Sequence, residues 1–312
     1  MMIKPGTMAI LWMVPGAALM LVFVLVAAHF YRPENPAEKL AFKASRVDLV
    51  SRMQVALTSA SEAEKSAVQA ITDEESQRFA DQARAHTAQL DKECRDLEDL
   101  LKAGGTQGEK DLLAQFSRAF TELQRIDNEV LSLAVKNTNL KAYSLAFGPA
   151  ADTLKEMNDA LSRLAAAHAE SPEAKKIMTL AFGAEISALR TQTLLPPHIA
   201  EESDQKMDAL EALMSKEDKQ VRKDLDGLAA LPELNGNSDL AIAASRYARF
   251  TRIKTQILAL SRENTNVRSL AISLNQKRKA MFLCQEALSA LKQAILEEPV
   301  KGVTYGSPAH PR

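Results

Sequence analysis

Cysteine, glycine, proline and aromatic residues are all scarce in this 312-residue chain, and neither sign of charge predominates. Two cysteines exclude a disulfide scaffold and a cysteine-ligated zinc or iron–sulfur centre. Eleven glycines and twelve prolines are too few for the many turns of a β-sandwich. With 39 Lys+Arg against 40 Asp+Glu, no basic stripe is available to neutralise phosphates, which argues against a nucleic-acid binder. Leu, Ala, Glu, Lys, Gln and Ser dominate instead, residues that long helices mostly tolerate or favour. The expected fold class is all-α.

From Met8 to Phe30 no charged side chain occurs, and MAILWMVPGAALMLVFVLVAAHF has the roughly 20 residues that a membrane-spanning helix needs. Trp12 and Tyr31 suit the interfacial belts, and Pro15-Gly16 fall in the first turns, where a kink costs little. Val26-Ala27-Ala28 would permit cleavage, but the apolar core exceeds a usual secretory segment, so an uncleaved signal anchor is expected. Lys4 stands alone before it, while Arg32, Lys39, Lys43 and Arg46 follow. Counted naively these charges keep the large domain inside, yet long domains translocate largely regardless of them. The expectation is a single-pass protein of the cytoplasmic membrane with its bulk on the extracytoplasmic (periplasmic) side. No second apolar run of spanning length follows Phe30.

Beyond Arg32-Pro33 the pattern is helical, and breakers cluster at Ala103–Gly108, Ser171-Pro172-Glu173, Pro232–Ser238 and Pro299. The segments between them, 36–103, 107–169, 172–231 and 238–298, are each about 60 residues, on the order of 90 Å of helix. Equal lengths and short turns predict an elongated up-down-up-down antiparallel four-helix bundle, with a short tail 1–7 before the anchor 8–30 and an extended tail 299–312. A repeat at a constant offset of 127 residues supports it: Glu74-Glu75-Ser76 matches Glu201-Glu202-Ser203, and Asn137-Thr138-Asn139 matches Asn264-Thr265-Asn266. Hence two hairpins, 36–169 and 172–298, are expected to close one core. Heptads run along the second helix through Phe116, Leu123, Ile126, Val130, Asn137, Leu140, Ser144, Phe147, Ala151, Leu154 and Leu161, and along the fourth through Phe250, Ile257, Asn264, Leu274, Met281 and Leu288. Arg125 and Arg252 then point outward.

Asn137 and Asn264 therefore share a core level, near Thr72–Glu75 and Pro196–Ser203, where the odd helices break into two stacked modules. The simpler reading is that the amides satisfy backbone groups freed at those breaks and fix register. The sharper one is a ligand site lined by Asn137, Asn264, Glu75, Glu202, Ser76 and Ser203, although its carboxylates disfavour an anion there. His86 reads as a satisfied core histidine, and His29, His168, His198 and His310 show no metal-ligand spacing. Cys94 and Cys284 fall on the order of 60 Å apart along such a rod, so no intramolecular disulfide is expected. Met178, Met207, Met214 and Met281 read as core filler, and Arg278 as a seam position near a bundle end. No phosphate loop, zinc motif, nucleophile elbow or acid/base pair stands out. Neither enzyme activity, nor a cofactor, nor a metal is expected.

The stretches PHIAEESDQKMDALEALM (197–214), SRENTNVRSLAISL (261–274) and its echo AVKNTNLKAYSLAF (134–147), with the amino-terminal anchor, resemble the extracytoplasmic four-helix-bundle sensor regions of bacterial methyl-accepting chemotaxis receptors, including the helical bimodular variety. The resemblance implies a bundle that recognises a small ligand, often an organic acid or amino acid, and relays a helix displacement across the membrane. It brings no ligand residues. A receptor of that family continues into a second membrane helix and a long methylation hairpin, whereas this chain ends VKGVTYGSPAHPR. The expectation is a sensory accessory that binds a ligand, a second copy or a separate receptor rather than a two-helix piston, or else a truncated receptor. The contrasting expectation is a structural spacer or helical interaction protein of the cell envelope.

Overall fold

The computed structural model describes residues 35–300. The anchor expected over 8–30 and the tail 1–7 lie outside them, as does nearly all of 299–312. Among the described residues all regular structure is helical, and no helix is long and apolar enough to cross a membrane.

The order is α1 (Pro36–Gln69), α2 (Asp73–Gly104), α3 (Gln107–Ala134), α4 (Thr138–Leu145), a π-turn (Ala146–Ala150), α5 (Ala151–Ala167), α6 (Ala174–Ala200), α7 (Asp204–Ala229), a 3-10 turn (Pro232–Leu234), α8 (Ser238–Glu263), α9 (Thr265–Ile272), a second π-turn (Ser273–Lys277) and α10 (Arg278–Glu297). Side-chain caps set five of the ten α-helix starts. Asn35 accepts from the Ala37 amide ahead of Pro36, Thr72 from Glu75, Ser203 from Lys206 and Asn237 from Leu240. Thr106 and Glu109 form a reciprocal capping box at α3.

Four equal helices are not what forms. Only the second and fourth segments, α3–α4–α5 and α8–α9–α10, run the length of the rod; the first and third fold back on themselves. In α1 and α2, Ala63 and Ala67 pack with Ala80 and Ala83 in one small-residue cluster, so the two helices lie close and antiparallel, and the end of α2 returns to Phe42. In α6 and α7, glycines allow the same approach. A Cβ at Gly183 would stand 2.6 Å from Asp224 Oδ2, and one at Gly227 would stand 3.2 Å from Leu180. The break at Thr72 was legible, and the second falls at Glu201–Ser203, since the helix continues through Pro196-Pro197 to Ala200 instead of ending at the prolines; that the chain reverses at both was not legible, because a heptad stripe looks the same whether its partner is remote or the next helix along.

The result is two stacked four-helix modules that share the long helices. Module I packs the α1–α2 hairpin on α3 and α10, and module II packs the α6–α7 hairpin on α5 and α8. Each has its own core: Phe116, Val130, Leu90, Leu97 and Leu288 in the first; Phe250, Ile257, Ile177, Leu161 and Leu228 in the second. Arg46–Glu109 and Glu64/Asp127 are offset alike, which makes α1 and α3 parallel across the module I diagonal, as His198–Ser261 does for α6 and α8. Cys94 and Cys284 consequently belong to the same module I core, not to opposite ends of a rod, and both are free thiols. Burial raises Cys94 and pushes Cys284 up to about 12.

The heptad phase fails in one place in each copy. Each π-turn absorbs one extra residue, so the buried positions become Ala142, Ala146 and Ala150 rather than Ser144, Phe147 and Ala151. Phe147 and Leu274 are thereby turned outward, at 67% and 61% exposure, and Lys277 rather than Arg278 enters the core. The two π-turns sit 127 residues apart, so the repeat extends to backbone detail.

Candidate functional site

The joint between the modules is built from the repeated Asn-Thr-Asn. Asn137 and Asn264 have φ of 51° and 52°, the left-handed conformation that Asn tolerates better than other residues with a Cβ. Asn264 ends one helix and starts the next, whereas Asn137 starts α4 two residues after the Val135 cap of α3, so both long helices are interrupted at the same height. The Thr138 amide donates to Thr265 Oγ1 at 3.2 Å and the Thr265 amide to Thr138 Oγ1 at 3.1 Å. Asn139 and Asn266 exchange the same bonds, backbone N–H to Oδ1, at 3.2 and 3.1 Å. Their Nδ2 groups donate to Asn264 Oδ1 at 2.8 Å and Asn137 Oδ1 at 3.0 Å. This reciprocity describes a local two-fold axis between the copies. Asn137 Nδ2 then donates to Asp73 Oδ1, Asn139 Nδ2 to the Ile199 carbonyl and Asn264 Nδ2 to the Glu201 carbonyl, which ties both hairpins to the joint.

Of the six residues expected to line a ligand site here, the structure brings Asn137 and Asn264 together, each buried, with both ends of each amide hydrogen-bonded to protein. Ser76 is buried and donates to the Ala67 carbonyl, while Ser203 caps α7. Glu75 is half-buried and Glu202 exposed, and no side-chain hydrogen bond ties either to the layer among the described residues. The geometry is that of the simpler reading: the amides hold register.

A cleft of about 520 Å³ opens elsewhere, on module I, between the last third of α1 and the α9–α10 segment. Its apolar side is Val68, Leu270, Leu274, Met281 and Phe282, and its polar side includes Ser61, Lys65, Ser273 and Arg278 together with one carboxylate, the exposed Glu62. Lys65 and Arg278 are exposed and make no ion pair among the described residues. Lys277 lies at its base, 3% exposed, with Nζ 2.6 Å from Glu64 Oε2 and 3.0 Å from Asp127 Oδ1. Two carboxylates thus share one buried ammonium, which is the one partner of Asp127 Oδ1, while Glu64 Oε1 has no hydrogen bond among the described residues. Burial raises the Asp127 carboxyl and the Glu64 charge adds to it, against the pull of Lys277. The repeat partners of Ser61, Lys65, Lys277 and Arg278 in module II are Ala188, Gln192, Ala150 and Ala151, none of them charged.

Residues 46–181 match the four helix bundle sensory module for signal transduction. The matched part of the sensory module runs through α1 to α5 and into α6, and so includes one side of the cleft, the Asn137 joint and the first long helix. No curated protein and no solved structure matches the chain. The cleft and the Glu64–Asp127–Lys277 cluster were missed from sequence because the π-turn moves Lys277 inward by one position. The heptad had placed Arg278 on the seam; it is exposed instead. One signal was available: Lys277 stands where the other copy has Ala150, a core-sized residue.

Proposed function

We propose that the chain is a membrane-anchored extracytoplasmic sensor of the chemotaxis-receptor kind, in which the module I cleft binds a small molecule with an anionic group on an apolar body. Residues 8–30 supply the anchor in this reading. The observation that carries it is the difference between the copies: Lys65, Lys277 and Arg278 line the module I cleft, and their repeat partners in module II are the neutral Gln192, Ala150 and Ala151, although Thr58 and Phe282 of the cleft correspond to the charged Glu185 and Lys155. Two exposed cations beside Phe282 and Leu274 suit a carboxylate whose tail leaves water. Lys277 sits under the cleft in a π-turn of a long helix, so a ligand that pulls on it strains the element that reaches the joint.

Thermal unfolding of the detergent-solubilised full chain against short-chain and aromatic carboxylates, with their amides as controls, tests this. A carboxylate at 100 times its Kd should add about 2.7 kcal/mol of stability. Lys65→Gln with Arg278→Ala, which installs the module II residues, should abolish the effect. Absence of any carboxylate-specific stabilisation at saturation would leave the reading without support.

A second reading, a spacer or helical interaction protein of the envelope that works as a homodimer or with a receptor partner, draws on the stripe of Met178, Phe182, Ile186 and Leu189 along α6, each at least 40% exposed. Crosslinking in cells would then trap the same partner with or without the ligand.

A further inference from the structure

Ser61 on α1 and Ser273 in the second π-turn both line the module I cleft. Ser61 is 8% exposed and Ser273 half-buried, and neither hydroxyl makes a hydrogen bond among the described residues. A hydroxyl on a helix can give its hydrogen to the carbonyl one turn back. Ser51, Thr58 and Ser66 of α1 do so, to Val47, Gln54 and Glu62. A hydroxyl taken from water and left without a partner costs stability, so Ser61 calls for an explanation. Lys277 adds a third idle donor: an ammonium has three hydrogens, and Glu64 Oε2 and Asp127 Oδ1 take two. Because α1 and α10 run antiparallel, with Lys43 at Leu296 and Glu64 at Lys277, the two hydroxyls stand about one helical turn to either side of the ammonium. Module II shows what packing alone requires here. It has Ala188, Ala146 and Ala150 at the three places, all buried. Small apolar side chains satisfy the fold, so three hydrogen-bonding groups in their stead answer to something in the cleft. Beneath them Glu64 and Asp127 outnumber Lys277 by one charge, and Glu62 stands at the rim, so the floor resists an anion while exposed Lys65 and Arg278 at the mouth attract one.

We infer that the cleft selects a monocarboxylic acid that carries a neutral oxygen, a hydroxyl or a keto group, near its carboxylate, and that Ser61 is the residue that reads this oxygen. The inference rests on the cleft reading above and adds to it the second polar group of the ligand. The carboxylate stays at the mouth with Lys65 and Arg278, and the apolar body lies against Met281 and Phe282. The neutral oxygen points down to Ser61, whose hydroxyl donates to a keto group and either donates to or accepts from a hydroxyl. A plain acid leaves Ser61 buried and unpaired, and a site built to hydrogen-bond an oxygen rejects the analogue that lacks it. A second carboxylate in place of the neutral oxygen meets the excess negative charge of the floor, and like charges brought together oppose binding. Selectivity thus comes from two layers of opposite preference, cations above and a net negative cluster below, with Ser61 between them.

Isothermal titration of the detergent-solubilised full chain tests this, with 3-phenylpropionate, 3-phenyllactate, phenylpyruvate and benzylsuccinate as probes, and hexanoate and 2-hydroxyhexanoate for an aliphatic body. The hydroxy and oxo acids should bind about three- to tenfold tighter than the plain acid of the same body. Benzylsuccinate should bind no tighter than 3-phenylpropionate. Ser61→Ala, which installs the module II residue, should bring the ratio of hydroxy to plain acid to about one. Lys65→Gln with Arg278→Ala should weaken all the acids in common. A plain acid that binds as well as its hydroxy partner, a dicarboxylate that binds tightest, or a ratio that Ser61→Ala leaves in place overturns the inference. In those cases plain-acid binding that still depends on Lys65 and Arg278 keeps the cleft reading. Binding of none of these acids removes both.

Discussion

Modules I and II share one arrangement of helices, yet they bury different chemistry. Among the described residues, module I encloses Lys43, Arg46, Glu64, Glu93, Glu109, Asp127 and Lys277, whereas module II encloses His198, Asp224 and Lys254. Part of the module I excess fastens its outer end: Arg46 bridges Glu109 at 2.6 Å and Glu298 at 2.5 Å, and Lys43 donates to the Leu296 and Glu298 carbonyls. There the first and last described helices meet, which places both at the end of the rod away from the joint. Glu64, Asp127 and Lys277 lie under the cleft, where charge in a core costs stability and is best retained against a partner. The lesson is one of division: one module keeps buried charge beside an open cleft, the other a hydrogen-bonded imidazole beside the joint.

The largest expected effect on this contrast comes from Lys277→Met. It strands Glu64 and Asp127 in the core and should cost about 3–5 kcal/mol in chemical denaturation, most of it recovered when both carboxylates are also replaced by Leu. A loss below about 1 kcal/mol would mean that water reaches the cluster and that module I is not dry there.

Next, the joint should treat the copies alike. Asn137→Ala and Asn264→Ala each force Ala into the left-handed region and remove amide bonds, for about 1–3 kcal/mol apiece. Asn→Gly at either site should recover the backbone part alone. Unequal costs at the two positions would break the two-fold description.

A pH series separates the modules further. Asp127 has its folded carboxyl raised above the unfolded value by burial. Its contribution is therefore present in full below the unfolded pKa and is lost as pH rises through the folded one. Asp127→Asn should flatten that loss in denaturation midpoints measured from acid to alkaline pH, while unfolding of module II, followed by hydrogen exchange, should not respond. The reverse slope would contradict the burial argument.

The smallest effect is expected at the surface. Arg125, paired with Glu122 on the outer face of α3, should be replaceable by Ala with no measurable change in midpoint. A clear loss would show that this face is covered in the assembled protein.

Much of this was legible residue by residue. Thr72 announces a helix start by a side chain that caps locally, and Arg125 reads as outward from the heptad alone. The pair Asn137/Asn264 was placed at one level by a constant offset, which is arithmetic on the chain. The cleft was not legible, since it depends on a π-turn that rephases α10, and of the two copies only the first carries a proline, Pro149, as a local mark. His198 was visible but silent, because its partners come from two other helices.

Composition, caps and the repeat determined an all-helical rod with equivalent halves and a polar waist, since each of these is decided within a few residues or by self-comparison. The direction of the first and third segments after their breaks, the burial of Lys277 and the pairing of His198 with Ser261 and Glu211 were decided only in three dimensions. The physical reason is common to all three: a helix stripe records that a face is buried, and only packing chooses against what.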